Sequence, residues 1–384
     1  MKRITGIILT AVLVISMLGI GAAAQELPDM KVEVNAKSAV LMEASTGEIL
    51  MSKNAHEKVY PASVTKIMSL LLITEAIDQG KIALTDVVTA SREASQKGGS
   101  QIWLKEGEQM TVDDLLKATA VASANDACSA LGEYIAGSDT AFVKMMNDRA
   151  KELGMNDTNF ENCTGLDDTA QNHVTSAYDV AIMSRELIKH ERIRNYTTIW
   201  MDTLRGGETQ LVNTNKLIRF YKGATGLKTG TTSKAGCCVS ATAERDGLSL
   251  IAVVMGSDSS NDRFSGARAM LDWGFANYSL VELTVDPSLI TDVNVLGGTT
   301  DKITPQVTEK KFVVVEKGKE DKITSVPELA IDVEAPVEQN QVLGTVKFMF
   351  GETEVGSINL CAPEAVEKMT FSDYLIRFIT SLCR

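Results

Sequence analysis

The chain is poor in metal ligands. Its 384 residues include only three histidines (His56, His173 and His190), far apart. No Cys-x-x-Cys pair occurs, so the ligand spacing of a structural zinc site is missing and no metal or cofactor is implied. The six cysteines, Cys128, Cys163, Cys237, Cys238, Cys361 and Cys383, are scattered rather than massed into a disulfide framework. Cys237 and Cys238 are adjacent, and on a strand they would point to opposite faces. Positive charge is also scarce: 38 Lys and Arg stand against 50 Asp and Glu, for a formal net charge of −12. Nucleic acid as a partner demands clustered cations against phosphate, and the acidity reads instead as a solvated surface. Beyond the N-terminus no apolar run is long enough to span a bilayer.

The N-terminus is patterned for export. Lys2 and Arg3 precede an apolar run from Ile7 to Ile20, which is short for a membrane span, and small residues follow to Ala22-Ala23-Ala24. This is the layout of a secretory signal peptide over residues 1–24, with cleavage expected after Ala24; an uncleaved anchor is the alternative. No cysteine adjoins the cleavage site, so a lipoprotein is not expected. The expected location is extracytoplasmic, at the cell membrane or wall.

The length suggests two or three domains. Two strands are expected around Ser45-Thr46-Gly47, and a long helix after Pro61, with Ile67, Leu70, Leu71 and Ile77 on or near one face. Residues 112–136 read as helical and rich in small side chains. Further helices are expected over 139–153, ended by Gly154, over 175–190 and over 263–278. Strands are expected over 228–232, 237–243 and 248–255, with Asp246-Gly247 as a hairpin turn. Past Tyr278 helical periodicity gives way to short strand-like runs at 293–296, 311–315, 342–350 and 355–360. The organisation expected is a catalytic domain over 31–278, a small all-β domain over 279–365 and an amphipathic helix over 368–384. In that helix Phe371, Leu375, Phe378, Ile379 and Leu382 share a helical spacing, fitting either the outer face of a membrane or packing on the β domain.

Three short elements carry the chemistry. In Ser63-Val64-Thr65-Lys66, hydroxyl and amine are three residues apart and share a helix face. A serine needs a base to become nucleophilic. Lys66 can be that base if burial and neighbouring positive charge lower its pKa. The chain has one such Ser-x-x-Lys, at a helix start where N–H groups favour developing negative charge. Ser123-Ala124-Asn125 is a weaker signal, since Ser-x-Asn also begins at Ser52, Ser259 and Ser357. Ser123 stands out because it interrupts a helical region between the other two elements. Its hydroxyl can relay a proton while Asn125 holds a substrate backbone; otherwise the two are a polar pair at a helix junction. Lys228-Thr229-Gly230 begins a strand and occurs once. Lys228 offers a positive charge to a substrate carboxylate, and Thr229 a hydroxyl. Gly230 lets a peptide lie along the strand edge, and the N–H of Thr231 with that of Ser63 can form an oxyanion hole. The plainer alternative is an edge strand with a solubilising lysine.

Together, in this order, the three elements match the pattern of penicillin-binding proteins and class A β-lactamases. From about Ser38 onward the chain closely resembles the low-molecular-mass penicillin-binding proteins that act as serine-type D-alanyl-D-alanine carboxypeptidases. The resemblance extends to Gly98-Gly99-Ser100, to 104–108, to Cys163-Thr164-Gly165-Leu166 with His173, to Asn213-Thr214-Asn215 and to 272–275. It implies an α/β (α+β) transpeptidase or β-lactamase-like domain with an antiparallel sheet flanked by helices, then a β-rich domain and a membrane-touching helix. It also implies Ser63 as acylated nucleophile, Lys66 as base, Ser123 as relay and Lys228 as carboxylate binder, with Arg263 assisting there or serving as a structural salt bridge. Peptidoglycan stem peptides are the implied substrate and β-lactams the covalent inhibitors. Relatives carry His where Thr231 stands, Arg where Thr214 stands and often Pro where Cys163 stands. A β-lactamase is an alternative, but Glu161 lacks the expected surroundings of a deacylating base; a non-catalytic wall scaffold is another.

Overall fold

The structure is a computed structural model that describes residues 27–168 and 170–382; the expected signal peptide at 1–24 lies outside the described residues. Five strands form the central antiparallel sheet, in the order Ile49–Lys53, Ser38–Glu43, Leu248–Ser257, Gly236–Arg245 and Ala224–Thr232. The strand with Lys228 is therefore an edge.

Both faces of the sheet are covered. Along Leu248–Ser257 side chains alternate, so Leu250, Ala252 and Val254 meet Ala267, Met270 and Leu271 of the helix Ser260–Asn277. Ile251, Val253 and Met255 turn the other way, into a larger core with Ile67, Leu70 and Leu71. This is why the strand reads as a continuous apolar run rather than an alternating one.

The segment after Pro61 is divided. A 3-10 turn spans Ala62–Thr65, and the α-helix runs over Lys66–Asp78. The helix is not amphipathic as the spacing suggested: every residue from Lys66 to Thr74 is buried, so it runs through the core. The stretch 112–136 is two helices, Val112–Val121 and Asn125–Ala136, broken by Ser123 at φ +62°. Side-chain caps fix the starts: Thr111, Ser138, Ser176 and Ser259 each accept a backbone N–H from the first turn. Ser176 is thus the cap of a helix over Ala177–Ile188, and the helix expected over 263–278 begins at Ser260, ahead of Arg263. A hairpin of Met201–Leu204 with Thr209–Val212, which periodicity did not reveal, lies outside the main sheet.

Beyond Asn277 the chain is β-rich. Tyr278–Leu283 pairs with Lys311–Glu316, and a four-stranded sheet contains Ile323–Leu329, Val342–Phe350 and Thr353–Cys361. Leu283, Val313, Val346, Phe348 and Ile358 fill one small core, and Val293, Val295, Val337 and Leu343 another. The helix Phe371–Leu382 follows, with Thr370 and Asp373 capping its start. Its apolar side chains do not pack on the β region: Phe371, Ile376, Phe378, Ile379 and Leu382 are all more than half exposed. Arg377 pairs with Asp301, which ties the helix to that region by charge. Among the described residues no helix is long and apolar enough to cross a membrane.

Candidate active site

The first element forms the floor of a cleft. Lys66 Nζ lies 3.0 Å from Ser63 Oγ and donates to the Thr164 carbonyl at 2.8 Å. Ser63 belongs to the 3-10 turn, where positions three apart eclipse, so the hydroxyl sits directly over the first residue of the α-helix. Lys66 is fully buried, and burial lowers its pKa to about 8, against the opposing pull of Cys128, Cys163 and Asp126. A neutral amine has one lone pair; with a hydrogen on the Thr164 carbonyl, that lone pair is free for the Ser63 proton.

The second element owes its geometry to the helix break. Ser123 in the left-handed region is strained, and such residues persist where surroundings over-determine them. Its Oγ is buried and has no hydrogen-bond partner among the described residues, and neither has Asn125 Oδ1. Two polar atoms held without partners are prepared for groups that come and go with chemistry. The loop before them is bolted down: Asn125 donates its N–H to the Ser100 carbonyl at 2.7 Å and its Nδ2 to the Gly98 carbonyl at 2.7 Å. Asp126, fully buried, accepts the N–H groups of Ile102 and Leu104. Neither Asp126 nor the Thr164 carbonyl was assigned a role from the sequence; a carboxylate in the first turn of a helix was the only signal for the former.

The third element lines the opposite wall. Lys228 is buried, with Nζ 3.1 Å from the Thr229 carbonyl. Burial first, then the charges of Lys66 and Arg263, push its pKa well below the usual lysine value. The repulsion between Lys66 and Lys228 acts on both amines alike, and a carboxylate beside Lys228 would favour its ammonium. Thr229 donates to Thr214 Oγ1 at 2.7 Å, and the Thr214 N–H donates to the Val121 carbonyl at 3.2 Å. Two hydrogen bonds therefore connect the Lys228 strand to the helix end that leads into Ser123. Asn213 and Asn215 secure the same strand from behind, Asn215 through the Gly226 carbonyl.

Gly230 has a reason beyond leaving the strand edge open. A Cβ there would lie 2.8 Å from Ser63 N and 2.9 Å from the Pro61 carbonyl oxygen, so only glycine lets the strand abut the serine turn. Gly165 presses from the other side, where a Cβ would come 1.7 Å from the Ala62 carbonyl oxygen. Arg263 is behind the strand: Nη1 donates to the Gly230 carbonyl at 2.9 Å and to Thr231 Oγ1 at 2.8 Å. It braces the strand, its charge is felt at Lys228, and it has no carboxylate partner among the described residues. Thr231 itself is exposed at the strand's end.

The loop 161–173 closes the floor. His173 Nδ1 accepts the Glu161 N–H at 2.9 Å, so Nε2 carries the proton and donates to Thr65 Oγ1 at 2.8 Å. Burial lowers the His173 pKa to about 4, which keeps the ring neutral and structural. Asp167 accepts from Thr232 Oγ1 at 2.5 Å, pinning the loop to the strand just past Thr231. The Glu161 carboxylate is exposed and accepts the Gln171 N–H, so it does not reach Ser63 as a deacylating base would.

Comparison with known proteins places the chain in a family along most of its length. Residues 22–259 match the family model of the D-alanyl-D-alanine carboxypeptidases, and residues 278–368 that of the penicillin-binding protein 5 C-terminal domain. The D-alanyl-D-alanine carboxypeptidase DacF of Bacillus subtilis (strain 168) is 38% identical, over 98% of this chain and 98% of its own. Penicillin binding protein 5 from Haemophilus influenzae, a solved structure, is 31% identical with a TM-score of 0.79, over 88% of this chain and 99% of its own. Penicillin-Binding Protein D2 from Listeria monocytogenes, solved in its ampicillin bound form, is 31% identical with a TM-score of 0.59, over 64% of this chain and 100% of its own.

Proposed function

Since this chain belongs to the serine-type D-alanyl-D-alanine carboxypeptidases, we propose that Ser63 is its acylated nucleophile and that the substrate is a peptidoglycan pentapeptide stem. The observation that carries this reading is the 3.0 Å contact between Ser63 Oγ and a buried lysine amine whose proton affinity is lowered.

Each residue then has a task set by its position. Lys228 and Thr229 hold the terminal carboxylate. Ser63 Oγ attacks the carbonyl carbon of the penultimate D-alanine as Lys66 takes the hydroxyl proton. The N–H groups of Ser63 and Thr231 stabilise the resulting oxyanion. The C–N bond breaks, and a proton from Lys66 reaches the leaving amine through Ser123, releasing D-alanine. Asn125 aligns the peptide that remains as an ester on Ser63. Water then cleaves the ester and restores the serine. Penicillins acylate the same oxygen, as their fit to the Listeria relative suggests, and the distant Glu161 favours a long-lived adduct over turnover.

The reading extends to location. The patterned N-terminus supports export. The exposed apolar side chains of Phe371–Leu382 support a helix that lies in the outer face of the cytoplasmic membrane, where that area leaves water. Mass spectrometry of muropeptides incubated with the protein tests the reaction: pentapeptides should lose one alanine with wild type and remain intact with Ser63→Ala. Intact pentapeptides with active-looking, penicillin-labelled wild type would refute the substrate assignment.

A further inference from the structure

One exposed aromatic on the rim has no part in the chemistry above. Trp103 is 75% exposed, yet its backbone sits in the left-handed region at φ +60°. A bulky residue adopts that conformation only under constraint. Here the constraint is visible: the N–H groups on either side, of Ile102 and Leu104, are both held by the buried Asp126 carboxylate. The fold thus strains a backbone in order to turn an indole outward, one loop away from Asn125.

The indole borders an open cavity of about 790 Å³ whose far side is the hairpin of Met201–Val212. Arg205, also left-handed at φ +52°, ties the two sides together. It donates to Glu108 at 2.7 Å, to the Ile102 carbonyl at 2.8 Å and to Thr209 Oγ1 at 2.7 Å. Its Nη2 has no partner. Among the described residues Glu106 and Glu208 also line this cavity without an ion pair. The charges nearly balance, Lys105 and Arg205 facing three glutamates. A flat apolar ring beside planar groups that can donate and accept, with little net charge, suits a neutral, hydroxyl-rich ring better than a cation or an anion.

Resting on the carboxypeptidase reading, we infer that Trp103 and the Arg205–Glu108 pair form a saccharide subsite that stacks a pyranose ring of the glycan carrying the stem. A stem of five residues spans roughly 17 Å when extended, which sets the greatest separation over which one polymer could engage the cleft and the rim together. The subsite would make the enzyme favour stems attached to glycan over free peptide.

Saturation-transfer NMR on the full chain with glycan strands stripped of stem peptides tests this without any turnover. Wild type should transfer signal to the sugar ring protons. Trp103→Ala should bind about tenfold more weakly, and Trp103→Phe should keep most of the binding. Fluorescent penicillin labelling reports that each variant is folded. No transfer with wild type, or equal binding by Trp103→Ala, overturns the subsite; so does binding of a lysine-bearing stem peptide at Trp103 in place of the glycan. Release of alanine from free pentapeptide is a separate measurement, so wild type that binds glycan yet trims nothing sinks the carboxypeptidase reading alone.

Discussion

On the proposed reading, one buried amine at Lys66 sets the rising limb of the pH dependence. Its pKa is about 8, and the amine must be unprotonated to accept the Ser63 proton. Below that value the reactive fraction falls about tenfold per pH unit, and above it the fraction levels off. Acylation by fluorescent penicillin, measured from pH 6 to pH 10, should rise with a midpoint near the Lys66 value and fall again as Lys228, its pKa lowered by burial, loses the charge that holds the penicillin carboxylate. A rate independent of pH across this range would remove Lys66 as the base. The glycines are as decisive as the charged groups. Gly165 has φ +87°, and a Cβ there would overlap the Ala62 carbonyl. Gly165→Ala should therefore destabilise the protein by about 3 kcal/mol or more, read by urea unfolding, and displace the Ser63 turn. Gly230→Ala, whose clash is with the Ser63 and Pro61 backbone, should leave a folded protein that penicillin labels far more slowly.

Secondary elements contribute by where they stop. A continuous helix over 112–136 would carry residue 123 around its own axis; the break at φ +62° instead leaves the Ser123 hydroxyl buried and without a partner among the described residues. The 3-10 turn before Lys66–Asp78 does the same for Ser63, and the edge position of Ala224–Thr232 leaves Lys228, Thr229 and Thr231 beside it. The C-terminal helix is the opposite case, an element whose apolar side chains are left largely in water. Deleting residues 371–384 should abolish co-sedimentation with lipid vesicles while leaving the penicillin acylation rate unchanged, because the helix touches none of the three elements. Vesicle binding that survives the deletion would rule the helix out as the anchor.

At the scale of the molecule, stability and acidity are linked through the loop that closes the floor. His173 is neutral when folded, with a pKa of about 4, against about 6.5 in an unfolded chain. Between those values the unfolded chain binds a proton that the folded protein does not, so its contribution to stability is full above pH 6.5 and declines as pH falls toward 4. The decline amounts to roughly 3 kcal/mol across the window. Unfolding by urea at pH 7 and pH 4.5 should show it, and His173→Gln should show a smaller difference between the two. An equal difference in both proteins would mean that His173 does not couple the loop to pH.

The sequence alone singled out Ser63, Lys66, Ser123 and Lys228, because hydroxyls and amines in short motifs are legible along the chain. It also carried the change from helical to strand-like texture after Tyr278, since the two periods of apolar residues differ. Only the tertiary structure set Arg263 against the Gly230 carbonyl and Thr231, and buried Lys228 deeply enough to push its pKa down. It alone revealed Asp126, Asp167 and Thr214 as the clamps of the cleft. Hydrogen bonds between residues tens of positions apart, the depth at which an amine is buried and the gap that a missing Cβ leaves all depend on which segments meet. Those quantities exist only after the chain has closed on itself.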